Sequence, residues 1–146
     1  MDIETSRRQI MMGLAALLSA PAFAVQSGAP SFKALRKPQR LKVGDTVGLI
    51  EPASASDEPF QIQLVEEAII AMGLKPKRAP HILNRYGYLA GRDKDRAADV
   101  NAMFADKEVK AIFAVRGGWG SARLLPFLDW DIIRANPKLL TGFSDI

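Results

Sequence analysis

Lys110-Ala-Ile-Phe-Ala-Val115 runs directly into Arg116-Gly-Gly-Trp-Gly120. An apolar, partly β-branched run stopped by closely spaced glycines reads as a buried strand that ends in a tight turn. On its N-terminal side, Gly91-Arg92-Asp93 opens a helix running to about Ala105. Ala97, Val100, Met103 and Phe104 fall on the buried face of that helix, and Arg92, Asp93, Lys94, Asp95 and Arg96 on a solvated, mutually paired one. On its C-terminal side, Ser121 to Leu128 reads as a short helix with Leu124, Leu125 and Leu128 turned inward. A buried strand set between amphipathic helices argues a parallel sheet wrapped by helices, the α/β class.

The same alternation extends both ways. Gly44-Asp45 turns into a first buried strand, Thr46-Val-Gly-Leu-Ile50, which ends in Glu51-Pro52-Ala53-Ser54. Ser56-Asp57-Glu58 then predicts a capped helix with acids at its positive end. Ile62, Val65, Ile69 and Met72 give it an apolar face, Gly73 closes it, and Leu74 to Ala79 is a shorter strand. His81 and a covering loop with Tyr86, Tyr88 and Leu89 follow. Beyond the quoted stretch, Asp129-Trp130-Asp131 begins a helix that Pro137 ends. Leu139-Leu140-Thr141 is then a buried strand broken by Gly142, and it delivers Ser144 at a turn. In such sheets ligands bind along the carboxyl edge of the strands. Ser54, Gly117-Gly118 and Ser144-Asp145 are therefore expected on one rim.

A chain of 146 residues is one domain or part of a larger one. The net charge of +4 comes without a Lys/Arg run interleaved with aromatics, which disfavours nucleic acid as a partner. The absence of cysteine excludes disulfides, thiolate metal sites and a thiol nucleophile. Arg7-Arg8, the apolar stretch Ile10–Ala20 and Pro21-Ala22-Phe23-Ala24 predict a signal peptide over residues 1–24, cleaved after Ala24. Its apolar stretch is 11 residues long, short of the ~20 that a spanning helix needs. Ser6-Arg-Arg-Gln-Ile-Met11 favours the twin-arginine route over the general secretory one, and the expected location is the periplasm. Residues 25–42 read as a basic, Pro-containing arm, and 43–146 as the α/β domain.

Ser144 at a turn off a strand end is a candidate nucleophile and equally a candidate helix N-cap. As a nucleophile it needs a base, and this chain offers no good one: His81 is a lone loop histidine. Ser54 and Ser121 are rivals on the same rim without the strand-Gly-x-Ser context. The Gly117–Gly120 loop lacks the Lys-Ser/Thr of a P-loop and the spacing of a dinucleotide turn. Its backbone N–H groups are suited to an oxyanion, with a plain strand–helix turn or a phosphate- or flavin-binding loop as the alternatives. Arg116 is offered to a substrate carboxylate or to a structural ion pair.

Four ordered blocks carry a family resemblance: Leu41–Ser54, Tyr88–Asp93 running into Arg96–Asn101, Ala114–Gly120 with Arg123–Pro126, and Gly142–Asp145. From Leu41 to Ile146 the chain resembles the N-terminal domain of the LD-carboxypeptidases, serine peptidases that include murein tetrapeptide carboxypeptidases and microcin C self-immunity proteins. The resemblance implies a flavodoxin-like or amidotransferase-like α/β domain, here incomplete at its C-terminus. It implies Ser144 as nucleophile and the backbone N–H groups of Gly118 and Asp145 as oxyanion hole; beside them, Arg116 and Trp119 are candidate substrate contacts. The triad Glu and His are expected in a second domain beyond residue 146, so that His81 is not the triad histidine and residues 1–146 alone are inactive. The implied reaction is release of terminal D-alanine from a peptidoglycan tetrapeptide, with no metal and no cofactor, by a protein that is a candidate homodimer. Two positions depart from the family pattern: Glu51, usually small and apolar, is expected to alter the charge of the rim, and Trp119, usually Tyr, the shape of the pocket. A non-catalytic module that holds cell-wall peptides on the same rim is the alternative from a different class.

Overall fold

The computed structural model describes residues 36–146. The leader at 1–24, with its cleavage after Ala24, and most of the arm at 25–42 lie outside the described residues. In chain order the elements are β1 (Thr46–Ile50), α1 (Pro59–Ala71), β2 (Lys75–Arg78), α2 (Asp93–Ala105), β3 (Val109–Ala114), a 3-10 helix (Ser121–Phe127), α3 (Trp130–Ala135) and β4 (Leu139–Thr141). All strand pairs are parallel, and the strands lie side by side as β2-β1-β3-β4. This is the α/β sheet expected, in the order with which flavodoxin-like sheets begin. The order reverses at β1, so the crevice between the carboxyl ends of β1 and β3 is the switch point where open sheets bind ligands.

Successive strand residues point to opposite faces. Val47, Gly48, Leu49 and Ile50 are all buried, so β1 is covered on both sides. α2 lies close over Gly48, where a Cβ would meet Met103 Sδ at 2.6 Å. Ile62 and Ile69 anchor α1, and each fully buried isoleucine contributes about 1.5–3 kcal/mol. Lys138, just before β4, donates from Nζ to the carbonyls of Met103, at 2.6 Å, and Asp106. A cation thereby closes the negative end of α2 and anchors the start of β4.

Several local expectations are corrected. α1 starts at Pro59, with Glu58 as an N-cap whose side chain makes no capping bond. The Ser56 hydroxyl and N–H turn instead to the Glu51 carboxylate. Proline at the first helical position needs no cap for its own missing donor. Met72 lies past the last turn and is 54% exposed. The segment after β3 is a 3-10 helix, whose three residues per turn bury Leu124 and leave Leu125 exposed. Among the described residues β4 pairs with β3 alone, and it is exposed along its whole length.

The largest departure is on α2. Ala97, Val100, Met103 and Phe104 are buried as expected, but so are Arg96 and Asp99. Arg96, placed on the solvated side from its charge, is 1% exposed. Its spacing of four and seven residues from Val100 and Met103 puts it on the inner face.

Candidate active site

β4 ends at Thr141, and the chain turns through Gly142-Phe143 to Ser144 at φ 62. Among the described residues Ser144 is the one non-glycine with a positive φ. A residue with a Cβ pays about 1–2 kcal/mol for that conformation, and such strain persists only where the surroundings impose it. Here the backbone after β3 lies against the elbow. A Cβ on Gly117 would sit 2.8 Å from Ser144 Cβ and closer still to the Phe143 carbonyl oxygen. Only glycine permits that approach.

The loop after β1 closes the same rim. Gly118 has φ 106, and a Cβ there would lie 2.8 Å from Ser54 Cβ, with the Ser54 hydroxyl nearer still. The Ser54 N–H donates to the Gly117 carbonyl at 3.2 Å. Ser54, Gly117-Gly118 and Ser144 are therefore brought together as their positions at strand ends imply.

The Asp145 side chain is engaged as well. Its Oδ2 accepts from the N–H groups of Gly120 at 2.8 Å and Ser121 at 2.9 Å, and its carbonyl accepts from the Ser121 hydroxyl. The backbone N–H groups of Ser121 and Gly120 hold its carboxyl below the usual aspartate range. The side chain thus caps the 3-10 helix and ties the serine turn to the glycine loop, and it engages the rival Ser121. It also fills two of the donors that a phosphate would take from this loop. Among the described residues, neither the Gly118 nor the Asp145 N–H donates to a backbone carbonyl.

The flanking candidates divide. Arg116 takes the ion-pair alternative, its Nη1 2.8 Å from Asp57 Oδ2. That partner holds the Asp57 carboxyl below its usual range. Trp119 stands 63% exposed in the glycine loop, its ring centroid 6.2 Å from that of Tyr88 and tilted by 46°. The Tyr86–Leu89 segment is pinned over the β1 loop by bonds from Ala55 N–H to the Tyr88 carbonyl and from Ala90 N–H to the Ala53 carbonyl. Glu51 does not charge the rim: it is 3% exposed, with both carboxylate oxygens taken by Ser56. Burial pushes its carboxyl above the usual range, and the Ser56 bonds pull it partly back.

His81 is occupied with Asp99. The buried Asp99 accepts from the His81 N–H, and His81 Nδ1 lies 2.7 Å from Asp99 Oδ1. Burial raises the Asp99 carboxyl against the pull of His81. This pair packs α2 against the loop after β2. Among the described residues, no group of three or more His, Asp or Glu side chains is placed to hold a metal ion.

A family model for the LD-carboxypeptidase N-terminal domain matches residues 47–146, which contain the whole of this rim. The chain belongs to the LD-carboxypeptidase family. It is 43% identical over 110 residues to the probable murein peptide carboxypeptidase of Bacillus subtilis (strain 168), covering 75% of this chain and 34% of that protein. It is 37% identical over 101 residues to the murein tetrapeptide carboxypeptidase of Pseudomonas aeruginosa, covering 68% and 33% respectively. Among solved structures, an MccF-like protein from Bacillus anthracis str. Ames superposes with a TM-score of 0.71 at 29% identity, over 75% of this chain and 34% of that one. The chain spans about a third of the length of the curated relatives it matches. Within the family's N-terminal domain, the signals missed in the sequence are the inner-face spacing of Arg96 and the capping capacity of the Asp145 side chain.

Proposed function

We propose that the protein is a serine-type LD-carboxypeptidase that hydrolyses the L-to-D amide releasing terminal D-alanine from peptidoglycan tetrapeptides. The reading rests on Ser144, held at φ 62 against the Gly117 backbone. A strained, exposed serine at a strand end is the geometry of a nucleophile elbow. In this mechanism Ser144 Oγ attacks the amide carbonyl carbon, and its proton passes to a histidine oriented by a glutamate, both supplied by a second domain. The oxyanion is received by the Gly118 and Asp145 N–H groups, where each preorganised donor contributes about 10²–10³-fold in rate. The D-alanine amine leaves with the proton from the histidine, and water then hydrolyses the acyl-serine. Export through the leader at residues 1–24 would bring the enzyme to murein peptides in the periplasm.

The test is D-alanine release from murein tetrapeptide by the intact protein. Ser144→Ala removes the attacking oxygen and is expected to abolish turnover while calorimetry still detects peptide binding. Residues 1–146 alone are expected to be inactive. Undiminished turnover in Ser144→Ala refutes the assignment. Peptide binding without hydrolysis by the intact wild-type protein identifies a binding module instead.

A further inference from the structure

Arg96 is the most deeply buried charged side chain on α2, at 1% exposure, and the chemistry above makes no use of it. Taking a guanidinium out of water costs several kcal/mol, so its partners show what that burial achieves. Nη1 donates to two carbonyls, that of Pro52 and, at 3.2 Å, that of Gly120. Nη2 pairs with Asp93, whose other oxygen takes Arg123 at 2.7 Å. Among the described residues Nε has no partner, so the Nη1 fork does the joining.

Those two carbonyls belong to opposite walls of the switch-point crevice. Pro52 is two residues before Ser54 in the loop after β1, and Gly120 two residues after Gly118 in the loop after β3. A Cβ on Gly118 would run into Ser54, so the two loops also approach closely there. One nitrogen therefore ties the two walls together. Asp145 holds Gly120 by its N–H, while Arg96 holds the same residue by its carbonyl. The Gly120 peptide flanks are thus fixed on both sides, two residues from the oxyanion donor.

We propose that Arg96 is a positioning residue of the oxyanion hole: by bridging the Pro52 and Gly120 carbonyls it keeps the Gly118 N–H aimed at the oxygen that forms over Ser144. The inference rests on the proposed serine-peptidase reading of this rim. Its signature is a loss in kcat at nearly constant KM, because the hole acts on the transition state and not on bound substrate. The amide nitrogen of glutamine carries two N–H groups as Nη1 does, but it is uncharged and two atoms closer to the backbone, so it falls short of both carbonyls, whereas lysine keeps the charge and reaches further.

The experiment compares wild type, Arg96→Gln, Arg96→Lys and Ser144→Ala in the intact protein, by D-alanine release from murein tetrapeptide and by near-ultraviolet circular dichroism. For folded Arg96→Gln, kcat is expected to fall by about 100-fold, with KM within about threefold, and Arg96→Lys to recover part of the loss. If Arg96→Gln does not fold, Asp93→Ala carries the test. It frees the outer end of the guanidinium at a partly exposed site and is expected to lower kcat by about three- to tenfold at constant KM. Wild-type kcat in folded Arg96→Gln, or in Asp93→Ala where that variant carries the test, overturns the role of Arg96. A rise in KM without a fall in kcat overturns it equally. Loss of turnover in Ser144→Ala beside unchanged kcat in Arg96→Gln overturns Arg96 alone, whereas turnover retained in Ser144→Ala overturns the reading of the whole rim.

Discussion

Gly117→Ala adds one methyl group between the glycine loop and the serine turn. The new Cβ would lie 2.8 Å from Ser144 Cβ, where ordinary contact begins at about 3.4 Å, and the Phe143 carbonyl oxygen is closer still. The Ser144 contact alone requires the two segments to part by about 0.6 Å, and the Phe143 oxygen requires more. Gly117 is not among the residues with positive φ, so alanine fits its backbone and the perturbation is purely steric. The serine turn is exposed and can yield, so the protein stays folded. What it loses is alignment, for which catalytic groups tolerate only about 0.5 Å. A displacement of about an ångström costs on the order of 10²-fold. We expect kcat for D-alanine release by the intact protein to drop about 30- to 100-fold. The control is Gly44→Ala, at a turn where φ is 88 and no atom lies within 4 Å of the added Cβ. It should lower stability by about 1 kcal/mol and leave kcat unchanged. A kcat for Gly117→Ala within threefold of wild type would refute the claim that this contact sets the nucleophile.

Asp145 binds the Ser121 and Gly120 N–H groups better when ionised, which is why its folded-state carboxyl titrates low. Its contribution is thus complete above the unfolded value near 3.9 and is lost as pH falls through the folded one. Thermal melts of wild type and Asp145→Asn across pH should differ by a constant amount above about pH 5 and converge in acid; a gap that widens in acid contradicts the tie. His81→Ala removes the ring partner of buried Asp99 and should cost about 1 kcal/mol in a denaturant melt while kcat of the intact protein stays within twofold. A loss of three orders of magnitude would instead make His81 the base.

The order of strands and helices, the glycines at 117, 118 and 142, and the serine delivered by the last strand were legible because each is a local signal. Periodicity and turn chemistry need only neighbouring residues. The errors arose where charge was taken as a guide to exposure. Arg96 sits at the inner-face spacing of α2, yet burial of a guanidinium is resolved only by carbonyls that reach it from elsewhere. Leu139-Leu140-Thr141 reads as a buried strand, but among the described residues it pairs with β3 alone and all three residues are exposed, which depends on its neighbours in the sheet and not on its composition.

Partner choice belonged to the tertiary structure. Arg116 and Asp57 are 59 residues apart, Arg96 and Pro52 are 44, and Gly120 and Asp145 are 25. No local pattern links them, because they meet only when the order β2-β1-β3-β4 sets the loops after β1, β3 and β4 along one rim. The residue types able to form a nucleophile, an oxyanion hole and their supports are written in the chain. Which carboxylate caps the loop, and which cation joins its walls, depend on burial: a side chain removed from water has to find its hydrogen-bond partners among whatever the sheet has placed beside it.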